Sequence, residues 1–420
     1  MRFSAPKLLS IFHRALAITA TTIALLIIIA STKGRASAQT ESVLYDFCSL
    51  SNCDDGEIPQ AGLVRDASGN FYGTTQAGGA FNQGTAFKLS SNGTFILLHT
   101  FGSTASDGTA PEAPLILDSR GNLYGTTNSG GAHGKGTVFK LTPGGAETIL
   151  YNFCSTGGTK CTDGSFPAAG LLRDKHGNLY GTTSTGGVYG LTLTKGVVFK
   201  LSPNGTETVL HSFGNGDDGS TPMAGLIMDS AGDFYGTTMW GGNYNTCAEG
   251  CGTVFKLTPK GSETVLYEFC AGLTSNCSDS TQPQAPLLLD KAGNLYGTAT
   301  VGGKNFFGTV FRLSPTGKEK ILHAFAGSPT DGSNPQGGMV MDSAGNLYGT
   351  TLFGGSFGQY GIVYKVTAVG KETILHNFDF NDGAFPPGGL VMDSSENLYG
   401  TTEGGISSGV NAGVVFEVVP

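Results

Sequence analysis

Little in this 420-residue chain advertises chemistry. It has one tryptophan, Trp240, no Cys-x-x-Cys pair and no clustered calcium-loop pattern. A nucleophile elbow, paired catalytic carboxylates, a phosphate loop and a Cys–His pair are not expected. Its Gly-Gly steps supply positive φ and are no phosphate cradle, because no helical pattern follows them. Beyond the first 38 residues no apolar run is long enough to cross a bilayer. Basic residues are also few, 24 against 32 acidic. Removing residues 1–38 takes five basic and no acidic residues with it, leaving a formal charge of −13. That sign argues against nucleic acid and against anionic membrane surfaces as partners.

The first 38 residues read as a targeting segment. Arg2, Lys7 and Arg14 form a positive start, Ala15 to Ala30 is apolar, and Ala36-Ser37-Ala38 suits a small-residue cleavage site. The expected organisation is a signal peptide over 1–38 and one domain over 39–420, secreted, periplasmic or at the cell surface. An uncleaved anchor is the alternative, since the apolar stretch nearly reaches spanning length.

What the chain does have is repetition. Tyr72, Tyr124, Tyr180, Tyr235, Tyr296, Tyr348 and Tyr399 each open a Tyr-Gly-Thr element, at intervals of 51 to 61 residues. Such a period marks a repeat architecture. In the second unit, Leu115 to Asp118, Leu123 to Thr127, Thr137 to Leu141 and Glu147 to Phe153 are short runs rich in β-branched and aromatic residues. Gly, Pro, Asn and Asp bound them, so they read as four antiparallel strands, a to d. That is the content of one β-propeller blade. Glu41 to Phe47 is a lone d strand before the first a strand, and Val414 to Val419 is a c strand with no d after it. The fold expected is all-β: a seven-bladed propeller whose N-terminal strand completes the last blade and removes the exposed edges.

The recurrent stretches Asp163 to Leu171 and Asp174 to Gly187, with the Gly-Thr-Val-Phe-Lys-Leu strands, resemble the GloVer repeat (choice-of-anchor tandem repeat) proteins of bacteria, over essentially all of residues 41–420. The resemblance implies a repeat scaffold on an exported protein and brings no catalytic residues. Members often carry a C-terminal sorting segment, and none is visible before Pro420. Kelch repeats share the period but not the aromatic spacing after Gly-Gly. Sialidase-type Asp boxes need a Trp per repeat.

Spacing separates two faces. From the Asp ending strand a to the Tyr of strand b is six residues in all seven units, and from the strand c aromatic to the last Phe of strand d is fourteen wherever both exist. The b–c loops vary from fifteen to twenty residues and the d–a loops from eight to fourteen. These two loop sets share one end of the blade, so one face is fixed and the other variable. Binding sites usually sit on loops held by a rigid scaffold.

Eight cysteines form four close pairs, Cys48/Cys53, Cys154/Cys161, Cys247/Cys251 and Cys270/Cys277, all on the variable face. In an exported chain they read as disulfides. The b–c loops also show unrepeated aromatics, including Phe81, Tyr189 and Phe353. Trp240, Tyr244, Phe306, Phe307, Phe357 and Tyr360, with His133, are the candidate ligand contacts, Trp240 and Tyr244 foremost. Exposed rings suit a glycan or a protein partner.

His99, His211, His323 and His376 share one strand-d position with Tyr45, Tyr151 and Tyr267, which reads as half-buried packing. Asp55, Asp107, Asp163, Asp218, Asp331 and Asp382 each precede Gly, a turn signal first. Around a central opening they could also attract calcium. Otherwise no cofactor, metal site or catalytic residue is expected, and the chain reads as a monomeric binding module. The alternative is an extracellular carbohydrate-active hydrolase or lyase using loop carboxylates near the central opening.

Overall fold

A computed structural model describes residues 40–420 except 157–159, 190–194, 243–246, 248, 272–278 and 406–411. The signal-peptide expectation lies outside the described residues. Seven four-stranded antiparallel sheets follow one another as propeller blades. Blade 2 runs Ile116–Leu117, Leu123–Thr127, Thr137–Leu141 and Glu147–Asn152 as strands a to d. Strand a is thus only two residues long, half the expected LILD run. Asp118 leaves the ladder to build the turn. Its Oδ1 accepts the Arg120 and Asn122 amides, and its Oδ2 accepts Asn122 Nδ2 and the Tyr124 hydroxyl, all at 2.9 to 3.1 Å. All seven units repeat the Tyr-to-Asp bond, so the fixed six-residue spacing is the span of one hydrogen-bonded turn.

In blade 7 the strand Thr40–Asp46 pairs with Val414–Val419, next to Leu398–Thr402 and Val391–Met392. The first described strand therefore supplies the outermost position of the last blade. Thr401 Oγ1 donates to the Ala61 carbonyl at 2.9 Å, and Tyr399 lies against Phe71 with ring centroids 4.6 Å apart. These contacts tie blade 7 to blade 1.

The alternation read in Thr137 to Leu141 is real, but both faces pack against neighbouring blades, with Lys140 alone half-exposed. Phe139 packs with Ala86 and Phe101 toward blade 1, and Val138 packs with Leu179 and Phe199 toward blade 3. The core is thus seven apolar layers between neighbouring blades rather than one centre. Every c–d pairing carries a register shift at the same place, as between Val138 and Phe139. Such bulges increase twist, which a blade needs to present strand a inward and strand d at the rim.

Candidate functional site

The variable face has a constant base. In all seven units the residues after the d–a loop Asp pair with the b–c loop of the next strand set. Gly108–Thr109 joins Ser129–Gly130, Ser280–Thr281 joins Val301–Gly302, and Gly332–Ser333 joins Phe353–Gly354. Single bridges replace these ladders at Glu57/Ala77, Ser165/Thr185, Ser220/Trp240 and Ala384/Gly404. Gly is required at the crossing where a Thr stands opposite, since a Cβ on Gly108 would lie 2.4 Å from Thr127 Oγ1; in blade 5 the position is Ser280, and Ala299 takes the place of that Thr. Loop tips of varying length thus stand on a rigid collar.

The predicted ligand contacts stand on that collar in different ways. Phe306, Phe307 and Phe357 are 51, 45 and 59% exposed, as are Phe81 and Tyr189 at 50 and 45%. His133 is exposed. Trp240 is half-buried at the collar, where its carbonyl accepts Thr238 Oγ1 and the Ser220 amide. Tyr244 lies outside the described residues. Tyr360 folds inward onto Phe380 and Phe385, and Phe353 also packs on Phe385. Trp240, Phe306, Phe307 and Phe357 enter no ring–ring contact with each other among the described residues, and they come from blades 4, 5 and 6. They are separate prominences rather than one cage.

Three cysteine pairs are bonded as read: Cys48–Cys53, Cys154–Cys161 and Cys247–Cys251. Cys270 is also disulfide-bonded, and Cys277 lies outside the described residues.

The Asp-Gly carboxylates are not aimed at the central opening. They are turned outward to the rim. Asp55, Asp163 and Asp279 accept the Tyr45, Tyr151 and Tyr267 hydroxyls at 2.7, 2.8 and 3.0 Å. Asp218, Asp331 and Asp382 stand 3.1, 3.0 and 2.9 Å from His211, His323 and His376 Nε2. The exchangeable His/Tyr position is therefore more than packing, because in each case it meets the recurrent Asp of the following loop. Sequence held both halves of this pairing, at matched places in every repeat. A Glu opening the next d strand completes six of the seven junctions: Glu41, Glu147, Glu207, Glu263, Glu319 and Glu372. Burial, foremost, pushes each of these carboxyls up to about 7. The seventh position is Phe95, stacked on Tyr45 at 4.3 Å where blade 7 meets blade 1.

The opening itself is lined from all seven blades by the residues after the recurrent Pro: Gln60, Glu112, Ala168, Met223, Gln284, Gln336 and Pro387, with small residues below. It encloses about 140 Å³. Gly62 must be Gly, because a Cβ there would sit 2.9 Å from the Gly389 carbonyl oxygen. At the mouth Gln76 Nε2 donates to Glu112 Oε1 at 2.7 Å. Glu403 bonds Gln60, and burial, opposed by that bond, raises the carboxyl, with Glu112 adding to the rise. Burial raises Glu112 as well. The sequence alone did not single out these polar groups, although they are the varying letters of otherwise constant stretches. A groove of about 550 Å³ lies on the fixed face between blades 4 and 5, lined by Asp229, Tyr235, Lys256, Asp290, Lys291 and Pro315 among others. Gly354 to Gly358 spells Gly-x-Ser-x-Gly. It runs from a strand into a loop with no helix, and the Ser356 amide simply bonds Asn377 Oδ1, so it is no nucleophile elbow.

The fold is shared with the extracellular domain of a protein assigned as a hybrid two-component system, BT4673 of B. thetaiotaomicron, at 14% identity and a TM-score of 0.55. That match covers 91% of this chain and 42% of the other. PorZ, a surface component of the type-IX secretion system of Porphyromonas gingivalis, matches at 14% identity and a TM-score of 0.50. It covers 84% of this chain and 45% of PorZ. The chain thus spans less than half the length of either. No curated protein matches it in sequence. The Gloeobacter/Verrucomicrobia repeat model matches residues 32–162, 158–281 and 246–420. With that coverage, and the same turn and strand pattern in every blade, the chain belongs to the Gloeobacter/Verrucomicrobia repeat family.

Proposed function

We propose that this propeller is an exported binding module that takes a glycan on its variable face. The observation that carries the reading is the mouth of the central opening. Gln60, Gln76, Glu112, Gln284 and Gln336 converge there with Glu403, all as hydrogen-bonding groups. Amides, and carboxyls whose affinity for protons burial raises, match hydroxyl-rich, uncharged ligands, which both donate and accept. Exposed Phe306, Phe307 and Phe357 on the same face offer flat apolar area to sugar rings. The disulfides agree with an oxidising compartment.

A second reading has its own observation. Glu112 and Glu403 are neighbouring carboxyls with raised affinity for protons, the property a general acid needs. An extracellular hydrolase or lyase could be built on them.

One experiment separates these readings. The chain is titrated with a panel of neutral cell-wall and plant polysaccharides, following Trp240 fluorescence and release of new chain ends. Saturable binding without products, weakened at least tenfold in the Gln60→Ala/Glu112→Gln variant, is the expected result. Product release lost in Glu112→Gln and Glu403→Gln would move the reading to the hydrolase or lyase. A flat response throughout would sink the glycan assignment.

A further inference from the structure

The junction between blades 1 and 2 differs from the other His junctions. At three of them the His Nε2 is within 2.9 to 3.1 Å of its Asp, direct contact distance. His99 Nε2 instead stands 3.7 Å from Asp107 Oδ2 and 3.7 Å from Glu147 Oε2, beyond hydrogen-bond reach of both. Three buried atoms here lack a hydrogen-bond partner: His99 Nε2, Asp107 Oδ1 and Glu147 Oε1; the Glu oxygen is left so at all six Glu junctions and His376 Nε2 is too, but among the described residues Asp107 is the one junction Asp with an unpartnered oxygen. Asp107 is 4% exposed, so water does not satisfy that carboxylate from outside. Buried polar atoms left without partners are costly and call for an explanation.

We infer that the His99–Asp107–Glu147 junction binds a zinc ion between blades 1 and 2. One ligand atom from each residue lies within 4.8 Å of the other two. Ligands on a tetrahedral zinc with bonds of 2.0 to 2.1 Å are separated by about 3.4 Å. The two 3.7 Å gaps therefore close onto an ion with a movement of a few tenths of an ångström; the two related groupings, His323–Asp331–Glu372 and Glu41–His376–Asp382, hold the imidazole 3.0 and 2.9 Å from its Asp, closer than two ligands of one zinc stand. One imidazole with two carboxylates favours zinc over calcium, which takes oxygen ligands only. The orienting contacts around the ligands are in place. Ser103 N and Oγ both donate to Asp107 Oδ2 at 2.9 Å, and the edge-to-face contact with Phe101 at 4.8 Å sets the His99 ring. Three protein ligands leave a fourth position for water.

The repeat provides a variant designed to fold. Tyr151 and Tyr267 occupy the His99 position in blades 2 and 4, each at the same kind of Asp–Glu junction, where the hydroxyl donates directly to the carboxylate, so His99→Tyr has a native precedent. The full chain, free of affinity tags and stripped with EDTA, is titrated with zinc by calorimetry and with cobalt by visible absorption. Expected are one zinc per chain at micromolar dissociation constant or tighter, a tetrahedral cobalt band, and a Tm that rises with zinc. His99→Tyr and Glu147→Gln each lose all three, and His323→Tyr keeps them. No binding below millimolar zinc, or binding that survives His99→Tyr in a folded protein, overturns the assignment.

Discussion

Two kinds of junction alternate around much of this ring. Where strand d carries Tyr, at Tyr45, Tyr151 and Tyr267, the Asp it meets lies ten or twelve residues on, and a cysteine pair falls between them. Where it carries His, the Asp lies six to eight residues on, and no cysteine falls between. The longer loop comes with the longer reach of a phenol and a covalent tie. The shorter loop lets an imidazole do the same task. Charge differs too: burial raises the Asp279 carboxyl beside Tyr267, while at Asp331 burial is outweighed by His323 and the carboxyl is lowered. One joint has thus been built by two chemistries on one scaffold.

The largest test of the comparison removes the shared acceptor. Asp163 is 2% exposed and accepts Tyr151, Ser155 N, Ser155 Oγ and Thr156 Oγ1. Asp163→Ala is expected to cost about 3 kcal/mol, because several buried donors lose a charged partner at once. Asp218→Ala, which frees one backbone amide and His211, should cost about 2 kcal/mol. Chemical denaturation of both measures the difference, and equal losses would break the distinction.

The covalent tie comes next. Replacing Cys154 and Cys161 by Ala opens a loop seven residues apart and should cost up to about 2 kcal/mol by loop-closure entropy. Reduction should lower the Tm of the parent and leave the double variant, at that loop, unchanged.

The six junction glutamates sharpen what the two kinds share. A carboxyl raised to about 7 in the folded chain, as at Glu207 and Glu319, binds protons more tightly folded than unfolded. Its stabilising effect is complete below the unfolded value near 4.5 and is lost as pH rises through about 7. The turn carboxylate Asp118, lowered to about 2 by its hydrogen bonds against the opposing push of burial, acts in reverse, losing its effect as pH falls below about 4. Stability should therefore peak near pH 5. Glu207→Gln should remove about 1 kcal/mol of the fall between pH 5 and 8, read as a flatter Tm profile.

The smallest effect belongs to the exposed loops. Phe306→Ala, Phe307→Ala and Phe357→Ala should each change stability by less than about 0.5 kcal/mol. A larger loss in thermal unfolding would show these rings to be packing groups rather than free surface.

Much of this architecture is written locally. The Asp118–Asn122–Tyr124 turn closes within six residues, so its letters recur unchanged. Strands b and c of blade 2 end where their apolar runs end. Strand a could not be measured this way, because Asp118 belongs to the turn and not to the run. The mouth of the opening was harder still: Gln60, Glu112 and Gln336 occupy a position whose residue changes between repeats, and nothing nearby says that seven blades bring them together.

The sequence by itself determined the repeat, the four strands of each blade, the fixed turns and the cysteine pairs, because each rests on hydrogen bonds or chain closure over a few residues. Only the tertiary structure decided that both faces of strand c are buried, that the Asp-Gly carboxylates turn to the rim, and that His99 faces Glu147 from the next blade. Those contacts join residues one repeat apart, or, for Glu41 and His376, nearly the whole chain apart. They depend on blade twist and ring closure, which no single repeat encodes.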